Sequence, residues 1–349
     1  MKKKKIYNVA VVGVGAVGVQ MLRVLKEHKF PVGKLLVLAR SARKIKVDNV
    51  IYDVEKISAD SFCDIDFALF AGTEGEKGAA VTFASEAVKC GAVVIDNGAD
   101  FRMKKNVPLI VPEVNGKEAK NHKGIIANPN CSTIQMVAAL APIYRKAGIK
   151  RIIASTYQAV SGAGKSALEQ LWEETGYMHK NSDVLSAADN PMQCKVTKDQ
   201  AFPNQIAFNA LAQIGGFQDH DYTSEEWKMV HETHKIFNDK KIKISATCVR
   251  VPVLNSHCES VYIETKKTIT PAAVKQLLSK TKGVVVIDDP AKGKYPMPGS
   301  SSSHDEVFVG RIRKDPFVKN GLWLWIVSDN LRKGAATNAV QIAEYLIGK

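Results

Sequence analysis

Short apolar segments alternate with segments of helical periodicity along the first third of the chain. The apolar segments that predict strands are residues 6–12, 34–39, 67–70 and 92–95. Residues 21–26 and 79–89 instead repeat apolar side chains at helical spacing. Strands that alternate with helices in this way are typical of a parallel sheet with helices on both faces. We therefore predict an α/β domain here.

The pattern changes after about residue 130, where predicted strands follow one another with few helices between them. These strands are residues 151–157, 242–252, 260–265, 308–313 and 322–328. Such a run predicts a mostly antiparallel sheet with helices packed on it. The stretch 330–346 returns to helical spacing, which predicts a further helix.

The chain length of 349 residues exceeds what one hydrophobic core normally holds, which predicts two domains. We predict residues 1–129 together with 330–349 for the first domain and residues 130–329 for the second. The polar region 177–204 is predicted to be an irregular surface excursion or a contact between subunits. No apolar run approaches the roughly 18–20 residues of a membrane span, so no membrane partner is predicted.

Glycines follow the first predicted strand at the spacing GxGxxG, and a helix follows them at once. In this context glycines let the backbone approach a pyrophosphate, which then lies at the helix N-terminus. The first domain is therefore predicted to be a Rossmann-type dinucleotide-binding domain. Its predicted pyrophosphate contacts are Gly13, Gly15, Ala16 and Val17.

A basic segment follows the second predicted strand, where dinucleotide folds contact the adenine ribose and an acidic residue favours NAD. Here Arg40, Ser41 and Arg43 offer two guanidinium groups and a hydroxyl, which suit a 2′-phosphate. We therefore predict NADP as the cofactor; the alternative is a basic surface loop without a ligand. A turn of small residues that includes Gly72 is predicted to face the cofactor as well.

One cysteine lies where a short apolar strand, residues 124–127, gives way to a helix in the sequence NPNCST. Ser132 and Thr133 are good capping residues, so Cys131 is predicted at the helix N-terminus. Unpaired N–H groups and the helix dipole favour a thiolate there and can stabilise an oxyanion. Cys131 is therefore the predicted nucleophile of a cysteine enzyme.

The six cysteines show no CxxC or Cys/His spacing. This argues against a metal site or a disulfide framework and predicts a reducing, cytoplasmic environment. Cys63, Cys90 and Cys248 are interpreted as small buried residues. Cys131 could be one more of these, but its place at a strand–helix junction makes that alternative the weaker one.

The formal net charge is +14 and the isoelectric point is about 9.4. Clustered lysine and arginine would indicate nucleic-acid binding. Apart from the N-terminal lysines, however, the basic residues are dispersed in short groups and accompany no nucleic-acid motif. We therefore predict no nucleic-acid partner, and a solvated basic surface with some bias towards anionic small molecules.

Separate blocks of sequence resemble the aspartate-semialdehyde dehydrogenase family, in that family's order and along nearly the whole chain. The blocks are NPNCSTIQM (128–136), TYQAVSGAG (156–164), IAFNA (206–210), YTSEEWKMVHETHKI (222–236), 248–253 with His257 and Glu259, VGRIR (309–313) and SDNLRKGAATNAVQIAE (328–344). The resemblance implies NADPH-dependent reduction of β-aspartyl phosphate to aspartate semialdehyde and phosphate, on the route to lysine, threonine and methionine. It also implies a homodimer or homotetramer, formed through an α+β catalytic and dimerisation domain.

The resemblance implies roles for individual residues. Cys131 resembles the nucleophile, His257 the general acid/base, and Gln158 the glutamine that orients the thioester. The residues that it assigns to the substrate are Arg250 for the carboxylate, Glu225 for the amino group, Arg102 and Lys228 for the phosphate, and Asn130. Those that it adds to the cofactor site are Ser161, Gly162 and Asn330. From the sequence alone His231 and His234 are equally eligible, so the choice of His257 depends on the family.

The chain departs from the family in two places. Its glycine spacing is GxGxxG rather than the usual GxxGxxG, and the loop 71–80 carries Glu74 and Glu76 where a run of serines is common. The pyrophosphate contacts therefore stay open.

Three other functions also stay open: an N-acetyl-γ-glutamyl-phosphate reductase, a related malonyl-CoA reductase, and a non-catalytic basic binding protein. The first typically has its nucleophile in a PGC-type sequence, which NPNC is not. The second would keep Cys131 and differ in its acyl donor. The third should lack part of the catalytic set, but Cys131, Gln158, Arg250 and His257 are all present.

Overall fold

The computed structural model describes residues 4–72, 78–181 and 200–349. The strands are β1 (Tyr7–Val12), β2 (Val32–Ala39), β3 (Arg43–Val47), β4 (Val50–Lys56), β5 (Phe67–Phe70), β6 (Val93–Asp96), β7 (Ile125–Ala127), β8 (Ile149–Gln158), β9 (Lys243–Arg250), β10 (His257–Thr265), β11 (Val284–Val286), β12 (Val307–Lys314) and β13 (Gly321–Ser328). The helices are α1 (Ala16–Glu27), α2 (Ala79–Lys89), α3 (Pro112–Asn115), α4 (Cys131–Ala147), α5 (Lys165–Lys180), α6 (Ser224–Phe237), α7 (Pro271–Ser279), α8 (Pro298–Ser301) and α9 (Thr337–Ile347).

The first sheet has the strand order β3-β4-β2-β1-β5-β6-β7, and every pair except β3 with β4 is parallel. Side chains of β1 alternate between two cores, as the pleat of a strand requires. Val9 and Val11 pack with α1 and α9, whereas Ala10 and Val12 face the core that contains α2. A mainly parallel sheet covered on both faces confirms the Rossmann-type prediction.

The second sheet has the strand order β11-β12-β13-β10-β8-β9. The three pairs β12/β13, β13/β10 and β10/β8 are antiparallel, and the two outer pairs are parallel. This confirms the prediction of a mostly antiparallel sheet. Helix α4 lies between the two sheets, because its buried side chains belong to one continuous core that includes residues of both.

Helix α9 returns the chain to the first sheet, in agreement with the helix predicted at 330–346. It follows a single π-helical turn, Arg332–Ala336. Its buried residues pack in the core formed by α1 and one face of the first sheet. Among the described residues, no helix has the length and apolar character needed to cross a membrane.

The β3–β4 hairpin is an element that the sequence pattern did not predict. No strand was predicted in the basic segment after β2, but Arg43 and Lys44 begin an edge strand that pairs antiparallel with β4. Lysines at exposed positions of this edge strand make its alternation of apolar and polar residues hard to recognise in the sequence. Asp48, with φ of 54°, lies in the tight turn between β3 and β4. The region 177–204 is also partly corrected, because α5 continues to Lys180; residues 182–199 lie outside the described residues.

The interpretation of Cys63 and Cys90 as buried residues is wrong. Both are exposed, and their Sγ atoms lie 3.9 Å apart. Each follows the end of a helix, Cys63 after the 3-10 helix Ala59–Phe62 and Cys90 after α2, where the chain turns at the surface. Cys248 is buried as predicted.

Candidate active site

Cys131 is the first residue of α4, directly after the turn that follows β7. Asn130 precedes it as the N-cap, and its Oδ1 accepts hydrogen bonds from the backbone N–H groups of Ser132 (3.0 Å) and Thr133 (3.3 Å). An N-cap side chain that satisfies these donors fixes where the helix begins. The capping residue is therefore Asn130, not the serine or threonine that the sequence pattern favoured.

A cleft of about 450 Å³ opens beside Cys131. The predicted catalytic and substrate-binding residues that line it are Cys131, Gln158, His257, Arg102, Asn130, Glu225, Lys228 and Arg250. The predicted cofactor residues that line it are Ala16, Val17, Gly72, Ser161, Gly162 and Asn330. Gly13, Gly15, Arg40, Ser41 and Arg43 are not in its lining. A larger cleft of about 560 Å³, between α3 and the C-terminal ends of α4 and α6, is lined by no cysteine or histidine among the described residues.

Hydrogen bonds join the residues on one side of the cleft. Asn130 Nδ2 donates to Glu225 Oε1 over 2.8 Å, and Gln158 Nε2 donates to Ser132 Oγ over 2.7 Å. Glu225 Oε2 lies 3.5 Å from Lys228 Nζ, one helical turn further along α6. The helix that begins with Cys131 is therefore held to both α6 and the end of β8.

The thiol of Cys131 has its pKa raised to about 12. Burial is the main cause, and the nearby Glu225 carboxylate adds to it. Arg250, Arg102 and the Ser132 N–H act in the opposite direction but are outweighed. The backbone effect has the predicted sign, because the Ser132 N–H lowers the pKa of Cys131, but burial and Glu225 outweigh it.

His257 begins β10 and is completely buried. Its Nδ1 lies 3.0 Å from the backbone N–H of Ala159, which donates to it. A nitrogen that accepts a hydrogen bond carries no proton, so the neutral ring carries its proton on Nε2. Burial and the nearby Arg250 guanidinium hold the pKa of His257 well below its usual range. The imidazole is therefore neutral at pH 7 and can donate a hydrogen bond from Nε2, which has no partner among the described residues.

Arg250 ends β9 and is buried beside the cleft. Its Nη1 donates to the Ala159 carbonyl over 2.8 Å, and Nε has no hydrogen-bond partner among the described residues. A Cβ on Gly162 would lie 3.0 Å from Nη1, so glycine at this position lets the guanidinium approach the backbone. A buried guanidinium with an unused donor is well suited to a carboxylate ligand.

Arg102 is also buried, and its guanidinium bonds extensively to the protein. Nε donates to the Asn128 carbonyl (3.0 Å), Nη2 to the Asn97 carbonyl (2.6 Å), and Nη1 to Glu232 Oε1 (3.1 Å). Lys228, by contrast, has a partly exposed side chain. Of the two cations assigned to phosphate by resemblance, Lys228 is thus the more accessible.

The glycine turn after β1 has the geometry of a pyrophosphate cradle. Gly13 has φ of 99°, and a Cβ on Gly18 would overlap the Gly13 carbonyl oxygen, so both positions require glycine. Helix α1 begins after Gly15, which has no side chain to cap the first-turn N–H groups. These N–H groups can bind an anion, so the residues present fit a dinucleotide.

The remaining cofactor candidates form two groups. In the basic segment after β2, Arg43 Nη1 donates to the Ser41 carbonyl (3.2 Å) and Oγ (3.1 Å), and Arg40 is exposed. In the lining of the cleft, Ser161 Oγ accepts a hydrogen bond from Asn330 Nδ2 over 2.9 Å. This second contact joins the loop after β8 to the segment after β13.

Comparison with known proteins places these features in a family. The model of the family "Semialdehyde dehydrogenase, NAD binding domain" matches residues 8–122, and that of "Semialdehyde dehydrogenase, dimerisation domain" matches residues 140–333. A protein of Aquifex aeolicus (strain VF5) named aspartate-semialdehyde dehydrogenase is 50% identical over 349 residues, covering 98% of each chain. One of Bacillus subtilis (strain 168) with the same name is 47% identical and covers 97% of each chain.

The chain belongs to the aspartate-semialdehyde dehydrogenase family. A solved structure, aspartate semialdehyde dehydrogenase II from Vibrio cholerae complexed with ASA, matches with a TM-score of 0.90, 41% identity and 99% coverage of both chains. The activity predicted from the sequence, reductive dephosphorylation of β-aspartyl phosphate to aspartate semialdehyde in amino-acid biosynthesis, is confirmed.

One buried residue beside the site was not predicted from the sequence. Glu232 lies on α6, seven residues after Glu225 and four after Lys228, so the three share one helix face. Its Oε2 accepts a hydrogen bond from the backbone N–H of Asn130 over 2.7 Å. The helical spacing with two members of an aspartate-semialdehyde dehydrogenase motif was the signal that could have identified it.

Proposed function

We propose that the enzyme works through a thioester on Cys131 and uses NADP. The observation that supports this most strongly is the single cleft that gathers Cys131 at a helix N-terminus with Gln158, His257, Arg250 and Glu225. In this proposal Arg250 binds the substrate carboxylate, Glu225 its ammonium group, and Lys228 with Arg102 its phosphate. Asn130 holds Glu225 in place.

Substrate binding changes the charge around the thiol. The ammonium group of the substrate neutralises Glu225, one of the two causes that raise the pKa of Cys131. The pKa then falls and the thiolate becomes easier to form. The thiol proton passes to water and the thiolate sulfur attacks the acyl carbon. The bond from that carbon to the phosphate oxygen breaks, and phosphate leaves with its electron pair. The positive end of the α4 dipole stabilises the oxyanion formed in this step.

His257 acts on the carbonyl oxygen of the thioester in the next step. When bound at the glycine turn and the cleft, the nicotinamide cofactor supplies the hydride that reduces the acyl group. His257 Nε2–H donates to the oxygen as negative charge develops there. Collapse of the hemithioacetal then breaks the carbon–sulfur bond and regenerates Cys131. Gln158, fixed by Ser132, orients the acyl group.

The direct test is NADP reduction with aspartate semialdehyde in the presence and absence of inorganic phosphate. We expect turnover only when both are added. Two parallel assays test the alternative reductases. One replaces aspartate semialdehyde by N-acetylglutamate semialdehyde, and the other measures the reduction of malonyl-CoA with NADPH. Faster turnover in either arm would contradict the proposed substrate.

Neutralising Glu225 is expected to make the free thiol more reactive. Glu225→Gln removes one cause of the high pKa of Cys131, so a larger fraction of the thiol is ionised at a given pH. The lower nucleophilicity of a less basic thiolate reduces the net gain to about three- to fivefold. The measurement is the rate at which iodoacetamide alkylates Cys131 at a series of pH values. Mass spectrometry of the peptide that contains Cys131 follows the reaction.

The matched control for that prediction is Glu226→Gln. Glu226 is a neighbouring buried carboxylate on α6 whose oxygens accept from the backbone N–H groups of Thr223 and Cys248. Its variant should alkylate at the parent rate. In both proteins the rate should rise with pH, since only the thiolate reacts, and Glu225→Gln should reach a given rate at lower pH. An unchanged or slower rate in Glu225→Gln would contradict the proposed effect of the carboxylate.

The NADP preference is expected to depend on the basic segment after β2. Arg40, Ser41 and Arg43 can donate charge-assisted hydrogen bonds to a 2′-phosphate, each worth roughly 1.5–3 kcal/mol. Replacing both arginines by glutamine should therefore weaken NADP binding by about tenfold to several hundredfold and leave NAD binding nearly unchanged. Titration of each cofactor by tryptophan fluorescence measures this.

A double variant with the same loss of charge, Lys46→Gln with Lys56→Gln, controls for a general electrostatic effect. Both lysines are exposed and lie on the hairpin strands β3 and β4. This variant should keep its NADP preference. Equal use of NAD and NADP by the parent protein, or retained preference in the arginine variant, would mean that the 2′-phosphate site lies elsewhere.

We also propose a homodimer or homotetramer that forms through the second domain, a domain whose family is described as a dimerisation domain. Light scattering at working concentration tests this, and a monomer would contradict it. The division into residues 1–129 with 330–349 and residues 130–329 is kept as part of this proposal, as is the cytoplasmic location.

A further inference from the structure

We propose that Glu232 is a positioning residue for the nucleophile, acting by holding the backbone on both sides of Pro129. The proposal rests on the function proposed for Cys131. Glu232 is only 1% exposed and lies on α6, whereas the segment that it holds lies between β7 and α4. Its two carboxylate oxygens serve two different contacts on that segment.

The first contact is direct. Glu232 Oε2 accepts the backbone N–H of Asn130 over 2.7 Å. Asn130 is the N-cap of α4 and the residue immediately before Cys131, so this bond fixes the peptide that leads into the nucleophile. The same residue carries the side chain that binds Glu225 over 2.8 Å.

The second contact passes through a guanidinium. Glu232 Oε1 pairs with Arg102 Nη1 over 3.1 Å, and Arg102 Nε donates to the Asn128 carbonyl over 3.0 Å. Asn128 and Asn130 flank Pro129, which has no N–H of its own. One buried carboxylate thus holds the backbone directly after the proline and, through Arg102, directly before it.

The energetics make this arrangement sensitive to the carboxylate. Both partners of the Glu232–Arg102 pair are buried, and breaking a buried ion pair is strongly destabilising. With one of its two contacts to Glu232 lost, the backbone around Pro129 would shift. Displacement of a reacting atom by about 1 Å can lower a rate by about 10²-fold. A change at Glu232 should therefore affect the chemical step, although its side chain is not among the residues that line the cleft.

The test compares Glu232→Gln with Glu226→Gln, its match on the same helix. Glutamine places a donor nitrogen at one of the two carboxylate oxygen positions, so the contact with either Arg102 or Asn130 is lost there. We expect kcat to fall by about 10- to 100-fold while KM for aspartate semialdehyde changes by less than about threefold. The rate of Cys131 alkylation should change as well. Glu226→Gln should lower the melting temperature to a similar extent but keep kcat and the alkylation rate.

Glu232→Asp is the second variant, because it keeps the charge and shortens the arm by one methylene. It should recover part of the lost kcat. The proposal is overturned if Glu232→Gln matches Glu226→Gln in kcat and alkylation rate while both lose thermal stability, since Glu232 would then serve only the fold. If the parent protein shows no phosphate-dependent turnover, the proposed function fails, but the alkylation rates of the two glutamine variants still decide the positioning role.

Discussion

Replacing Cys131 by alanine is expected to lower turnover by at least about 10⁴-fold, because loss of a covalent nucleophile leaves only binding and electrostatic contributions. Binding of NADP and thermal stability should be nearly unchanged, since the side chain is half-buried and small. The measurement is kcat in the phosphate-dependent assay, together with cofactor titration of the same preparation.

Exposed cysteines supply the control for this prediction. Cys63→Ala and Cys90→Ala remove thiols that lie outside the cleft and should keep full activity. Alkylation that inactivates the parent protein should map to Cys131 and be slowed by substrate. Inactivation that maps instead to another cysteine would refute the assignment of the nucleophile.

Replacing His257 by asparagine is expected to lower kcat by about 10²–10⁴-fold with a modest change in KM, the range expected of general acid/base groups. The Ala159 N–H donates to His257 Nδ1, so the neutral ring is a hydrogen-bond donor from Nε2. The variant loses this donor. The pKa of the buried His257 ring is low, so the ring does not gain a second proton near pH 7. The kcat profile of the parent should therefore show no inflection near the ordinary histidine pKa of about 6.5.

Two further variants separate catalysis from binding. His234→Asn changes a histidine of α6 whose ring Nε2 lies 2.8 Å from the Ile242 carbonyl, outside the cleft, and should leave kcat unchanged. Arg250→Leu should act mainly on KM, since its role is to bind the substrate carboxylate. If Arg250→Leu lowered kcat alone and His257→Asn raised KM alone, the two roles would have to be exchanged.

Local patterns in the sequence were sufficient for most of the fold. The glycine turn, the apolar strands of the first sheet and the placement of Cys131 at a helix N-terminus all depend on residues within a few positions of one another. The β3–β4 hairpin was missed because its basic residues are as typical of a loop as of an edge strand. Cys63 and Cys90 were misjudged because the tendency of cysteine to be buried does not show that a particular helix end lies at the surface.

The electrostatics of the site could not be predicted from local pattern. The pKa of Cys131 depends on burial and on Glu225, which is 94 positions away in the chain and reaches the site only because α6 packs against α4. Glu232 was missed for the same reason, because its partners Arg102 and Asn130 are distant in sequence. The choice of His257 among the histidines depended on family resemblance, since its tautomer and burial are properties of the folded chain.

Helix α9 has a consequence for the order of events during synthesis on the ribosome. The sheet face that carries Val9 and Val11 is covered in part by Ala339, Ile342 and Ala343, which are made after the whole of the second sheet. Roughly 200 residues separate the last strand of the first sheet from α9. At about 5–20 residues per second, their translation takes on the order of 10–40 s. During that interval the nascent chain exposes an incompletely covered apolar face, the kind of surface that chaperones bind. The sheet that begins first is therefore covered last.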